Sequence, residues 1–161
     1  RTAMDELSII AQPKDWLPLT VPGAEGVSVK VLKADEGKNR VVIMAKFAPG
    51  SRMPYHVHHC SAVAYTLSGS WDYDEGHFET GDVAYESIGN AHVPWSDEGT
   101  EMVIVFDSPT GQYLDNVLPD GTVVHMGMPL FKALECIGLE TYHTLNIFAL
   151  IDILPGLREA A

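Results

Sequence analysis

The chain has 161 residues, 46% hydrophobic and 20% charged, a globular composition long enough to bury a full core in one domain. Ten Lys and Arg against 22 Asp and Glu give a formal net charge of −12, which repels phosphate backbones and anionic lipid, so neither nucleic acid nor membrane is expected as a partner. Cys60 and Cys136 form no CxxC pair or secretory framework, and the opening RTAMDELSII lacks the basic-then-apolar form of a signal peptide, so a reducing cytoplasm is the expected setting.

Residues 1–22 combine a short helical turn, Met4 to Ile10, with Pro13, Pro18 and Pro22, and read as an extended arm with Trp16 as a packing anchor. The body begins at residue 23. Val27, Val29 and Val31 alternate with Ser28, Lys30 and Leu32, the period of a half-buried strand. Val41 to Phe47 reads as a second strand, closed by Pro49-Gly50. Further strands follow at Val63 to Leu67, at Trp71 to Phe78 with a turn at Asp74-Glu75-Gly76, and at Gly81 to Tyr85. Met102 to Asp107, Gln112 to Val117 and Thr122 to His125 continue the series. Short, regularly spaced strands without intervening amphipathic helices predict an all-β sandwich or barrel over residues 23–127. Residues 128–161 differ: Leu130, Leu134, Ile137, Tyr142, Leu145, Phe148 and Ile151 recur at three and four, with Pro129 suited to a helix's first turn. One or two short helices are predicted, broken near Gly138 and ended by Pro155-Gly156. Their apolar face either closes one end of the barrel or lies in a subunit contact. The apolar run from Leu145 to Leu154 is interrupted and too short to cross a bilayer.

The chemistry centres on Gly50 to Gly69, GSRMPYHVHHCSAVAYTLSG. On a strand, His56 and His58 share one face while His59 looks away as a structural residue. His92, in GDVAYESIGNAHVPW, follows a Gly-Asn turn, and a returning strand can bring it beside that pair. Three neutral imidazoles then make an open metal site, with further positions left for water, substrate or oxygen. Each ring nitrogen not facing the ion needs an acceptor, so a nearby carboxylate is expected. His77, His125 and His143 read as surface or packing histidines. Cys60 is either a buried thiol or a pocket residue. Tyr65, Trp71, Tyr73, Tyr85, Trp95 and Phe106 pack the barrel or wall an apolar pocket.

The order Gly50, five residues, His56-x-His58, Gly69, then Gly81, five residues, Ser87-x-Gly89-x-x-His92, resembles the two motifs of the cupin superfamily. The resemblance implies a double-stranded β-helix, a jelly-roll barrel with a metal at its centre. Most cupins carry a glutamate ligand shortly after the first histidine pair, where this chain has Ala62 and Val63, and Ser87 stands in place of the usual proline. The ligand set His56, His58 and His92 is therefore similar to that of the three-histidine cupins, which include diketone-cleaving and hydroxyaryl-ketone dioxygenases. That subset implies a non-haem Fe(II) dioxygenase, with zinc or nickel compatible with the same ligands, cleaving a carbon–carbon bond next to a carbonyl of a small-molecule substrate. It also implies a homodimer. Glu86 falls where the diketone-cleaving members have a glutamate near the metal. From the residues alone, Glu86 is either an acceptor that orients a histidine or a solvated strand-end carboxylate. Arg52 and Tyr55 either offer a cation and a hydroxyl to an anionic substrate or belong to a solvated loop. The alternative function is a non-catalytic metal-binding or sensor cupin holding zinc, with Cys60 or Glu86 as fourth ligand.

Overall fold

Alternating small apolar and polar side chains set the architecture, because a strand with one apolar face must lay that face against another sheet. The computed structural model describes residues 15–155. Its strands are β1 (Leu17–Pro18), β2 (Glu25–Asp35), β3 (Arg40–Arg52), β4 (His56–His58), β5 (Ser61–Tyr73), β6 (Gly76–Glu79) and β7 (Val83–Glu86). β8 (Ala91–His92), β9 (Trp95–Ser96), β10 (Thr100–Asp107), β11 (Gln112–Val117), β12 (Val123–Gly127) and β13 (Asp152–Leu154) follow. The larger sheet runs β1-β2-β3-β10-β5-β6, with β7 also on β5 and β9 bridging β3 and β5. The smaller runs β13-β12-β11-β4-β8. Their inner faces enclose a core that includes Val29, Val31, Val41, Ile43, Phe106 and Val124. This is the expected jelly-roll barrel.

Several strands run longer than their sequence signals. β3 continues through Pro49 and Gly50 to Arg52, where it pairs with β9. β5 is continuous across Ser68-Gly69-Ser70, which reads in sequence as a break. The register against β10 shifts just before it, where Leu67 bulges out of the pairing, while Ser68 and Gly69 pair with Glu101 and Thr100. Gly69 has φ +71°, and a Cβ on it would stand 1.9 Å from the Gly99 carbonyl oxygen, so only glycine fits.

The tail closes the barrel. α1 (Met128–Leu134) starts with Pro129 in its first turn and buries Met128, Leu130, Phe131 and Leu134. α2 (Leu139–Tyr142) begins after Gly138. The predicted helical tail does not run to Pro155: residues 152–154 return as β13 and pair with β12, because Ile153 and Leu154 have strand propensity and an open sheet edge to join. Of the arm, Leu17 and Pro18 pair with β2, and the Asp15 carboxylate accepts the Leu139 amide at 2.9 Å. Trp16 anchors the arm by lying under the Lys30 and Lys46 ammonium groups, at 4.7 and 5.6 Å. The helical turn Met4 to Ile10, Pro13 and Gly156 lie outside the described residues. No helix among the described residues is long and apolar enough to cross a membrane. The outer face of β5 and β7 carries an exposed apolar stripe of Val63, Tyr65, Leu67, Val83 and Tyr85.

Candidate metal centre

His56 and His58 point inward from β4 as the period of two requires, and Val57 between them faces out. β8 brings the third imidazole: His56 and His92 are direct register partners in the antiparallel β4–β8 pair. The turn before β8 is clamped to β4 by its backbone, with the Gly89 amide donating to the His58 carbonyl at 2.8 Å and the His58 amide to the Asn90 carbonyl at 2.9 Å. The second sequence block thus docks on the first through main-chain bonds.

The three rings are buried, and one ligand nitrogen from each lies within 4.8 Å of the other two. His58 Nε2 and His92 Nε2 are 3.4 Å apart. His56 Nδ1 donates to the Pro54 carbonyl at 3.1 Å, which leaves Nε2 free for an ion. His92 Nδ1 faces Glu86 Oε2 at 3.2 Å. That distance suits an ion pair, yet the angle is wrong for a hydrogen bond, and both atoms are left without a bonded partner. Tyr73 fixes the ring's plane from the other side, stacked on His92 at 4.3 Å between centroids.

Burial lowers the proton affinity of the imidazoles. His58 and His92 are each pushed down to about 4, by burial in both and by the neighbouring His92 charge in His58. His56 falls well below its ordinary value, from burial first and then from the other two histidines. All three are therefore neutral at pH 7, the form that binds metal. Burial has the opposite effect on Glu86 and pushes its carboxyl up to about 7.

These residues fit a divalent ion. Three neutral nitrogens converge, one buried ring nitrogen already has a carbonyl acceptor, and a second faces a carboxylate. Before them lies a cavity of about 80 Å³. His56, His58, His92 and Glu86 are its polar lining residues; the rest, among them Trp71, Met102, Phe106, Leu130 and Phe131, are apolar.

The other expected site residues lie elsewhere. Arg52 and Tyr55 are exposed and do not line the cavity, because they flank β4 on the outward side of the chain. Cys60 is buried, with its Sγ 3.6 Å from the Tyr113 carbonyl, and burial first and the Glu86 charge next push its thiol up to about 12. It is not among the cavity residues. His59 does face away from His56 and His58, and its Nε2 meets Asp115 Oδ2 at 2.7 Å. His125 Nδ1 reaches the same carboxylate at 2.5 Å. Burial raises the Asp115 carboxyl, but these two hydrogen bonds outweigh it and hold the group below its ordinary value. Sequence reasoning missed this cluster and the Pro54 acceptor. The strand alternation of β11 could have placed Asp115 on the outer face; nothing in the sequence marks a particular main-chain carbonyl.

A family model described as the ChrR cupin-like domain matches residues 5–111, more than half of the chain. No curated protein matches it. Among solved structures, an acetylacetone dioxygenase from Acinetobacter johnsonii is 15% identical with a TM-score of 0.65, over 75% of this chain and 85% of the other. A candidate acetylacetone dioxygenase from Methylibium petroleiphilum PM1 is 21% identical with a TM-score of 0.63, over 79% and 87%. An RmlC-like cupin protein from Ralstonia eutropha JMP134 is 24% identical with a TM-score of 0.54 over 70% of this chain, which spans 66% of that protein's length. At these identities the likeness concerns the fold. The family match covers both histidine blocks and the strands that bring them together, and the chain belongs to the ChrR cupin-like domain family within the cupin superfamily.

Proposed function

We propose that the chain is a non-haem Fe(II) dioxygenase that cleaves the carbon–carbon bond beside a carbonyl in a small β-diketone or hydroxyaryl ketone. The observation that carries this reading is the set of three neutral, buried imidazoles opening onto an apolar cavity with one carboxyl at its edge. Fe(II) bound there supplies a Lewis acid for a chelating carbonyl pair and a redox partner for oxygen. The protein's own residues do the rest. The Pro54 carbonyl sets the orientation of His56, Tyr73 stacks on the His92 ring, and Glu86 stands beside its Nδ1. Glu86, with its proton affinity raised to about 7, is suited to accept at its carboxylate the proton that an acidic C–H of a 1,3-dicarbonyl gives up. Trp71, Met102 and Phe106 keep water from that proton transfer and favour an apolar substituent. The likeness to acetylacetone dioxygenases supports the substrate class.

A second reading, a non-catalytic zinc-binding sensor, is favoured by Glu86 Oε2, a buried carboxylate oxygen without a hydrogen-bond partner beside the histidines. Swung toward the ion, it makes a closed four-ligand site. Anaerobic loading with Fe(II), followed by oxygen uptake on acetylacetone and hydroxyaryl ketones, separates the two. Uptake with cleavage products supports the dioxygenase. An iron-loaded protein inert to both classes, with tight four-coordinate zinc by X-ray absorption, overturns it in favour of the sensor.

A further inference from the structure

The wall that carries the inner centre has chemistry on both faces. Residues 56 and 58 face in, so 57 and 59 face out, and on neighbouring β11 the inward Leu114 and Asn116 leave Asp115 facing out. Across the smaller sheet, Asp152, His125, Asp115 and Val57 are successive register partners, so their side chains share the outer face. His59 enters this row from the residue after β4. The Asp115 carboxylate sits between the two rings, with Oδ2 at 2.7 Å from His59 Nε2 and Oδ1 at 2.5 Å from His125 Nδ1. Nitrogen and oxygen atoms of the three residues all lie within 4.8 Å of one another. Their side chains are 37%, 27% and 13% exposed, in the order His59, Asp115, His125, so an ion can enter and the donors are still ordered by packing.

We propose that His59, Asp115 and His125 form a second divalent-metal site on the outer face of the smaller sheet, back to back with the inner centre. Two ring nitrogens converging on one carboxylate mark a place where a divalent ion can sit, each ring taking its other tautomer so that the proton lies on the far nitrogen and the near one offers its lone pair beside a carboxylate oxygen. Two imidazoles select a borderline transition ion such as zinc over calcium or magnesium, which prefer all-oxygen sites. Asp152, the register partner of His125, stands on the same outer face beside the cluster. An ion here crosslinks the segment after β4 to β11 and β12 and so braces the strand that carries His56 and His58. The site uses no residue of the proposed dioxygenase reaction.

The test is zinc stoichiometry. Metal-stripped protein is dialysed against Zn(II), and bound zinc is measured by plasma mass spectrometry alongside circular dichroism of each variant. The parent is expected to hold two equivalents, Asp115→Asn and His125→Gln one each, and the His56→Gln/His92→Gln pair one. Zinc should also raise the melting temperature of that pair, since it binds the folded state. A parent that holds a single equivalent, lost in the His56→Gln/His92→Gln pair, overturns the proposal. So does a second equivalent that persists in folded Asp115→Asn and His125→Gln. A single equivalent lost in His125→Gln and kept in the His56→Gln/His92→Gln pair supports the outer site and sinks the reading of the inner one.

Discussion

Glu86→Gln should stabilise the metal-free protein above neutral pH and lose most of that advantage when metal is bound. Glu86 is 4% exposed, and burial moves its carboxyl from 4.5 up to about 7. In the metal-free protein the unfolded chain loses that proton near pH 4.5 while the folded chain keeps it until about pH 7. Stability is therefore fully present below pH 4.5 and declines as the pH rises through 7. The size of the displacement corresponds to about 3 kcal/mol. Glutamine keeps the shape and never ionises, so metal-free Glu86→Gln should be more stable than the parent by about 2–3 kcal/mol at pH 8 and equal to it at pH 4. His58 and His92 contribute the opposite slope, since groups pushed down to about 4 lose stability as the pH falls below 6.5. Both proteins share that slope, and it cancels in the difference. With metal present most of that advantage should vanish, because the His92 ring loses the carboxylate beside it and affinity should fall about 10–100-fold, or about 1.4–2.7 kcal/mol. Urea unfolding in chelator from pH 4 to 8, paired with zinc competition titrations, measures both halves. A stability difference that does not change with pH, or one that favours the parent at pH 8, would refute the reasoning.

Gly69→Ala should prevent folding or lower the melting temperature severely, because the new Cβ meets the Gly99 oxygen; Gly81→Ala, with φ +93° and nothing within 4 Å, should cost only about 1–2 kcal/mol by the same denaturation assay. Phe106→Ala, at a cavity-lining residue 3% exposed, should cost about 3–5 kcal/mol and shift turnover toward bulkier ketones in a competition assay. Arg52→Ala should leave metal content and oxygen uptake unchanged, since its side chain is exposed and off the cavity; a large loss would place it in the site after all. If the chain forms the expected homodimer through the stripe on β5 and β7, Tyr85→Glu, at a position 71% exposed, should shift the sedimentation coefficient toward the monomer without altering the circular dichroism spectrum.

The sequence made the inner centre legible because strand alternation is a local rule: His56 and His58 had to share a face, and the turn at Gly89-Asn90 announced a return. Pairing is not local. That His92 lies opposite His56, and that Asp115 lies between His59 and His125, depends on β11 and β8 flanking β4, which no stretch of residues states. Strand ends depart from the sequence signal for a related reason. Ser68-Gly69-Ser70 has the composition of a turn, yet β10 pairs with Ser68 and Gly69 and holds the stretch in the sheet. The tail showed its helical period, but its last strand exists only because β12 presents an open edge. Tyr55 and Arg52 sit beside the ligands in sequence, and β-geometry turned that closeness into separation.

The cavity is floored by Leu130, Phe131 and Leu134 of α1, a segment that lies beyond the family-matched region ending at residue 111. The candidate ligands thus lie between residues 54 and 92, whereas α1 adds Leu130, Phe131 and Leu134 to the barrel side chains that shape the cavity. Such a division lets the plug be exchanged while the metal ligands stay untouched. Under the proposed function, chimaeras that swap only residues 128–134 would change one part of the cavity wall and leave His56, His58 and His92 in place.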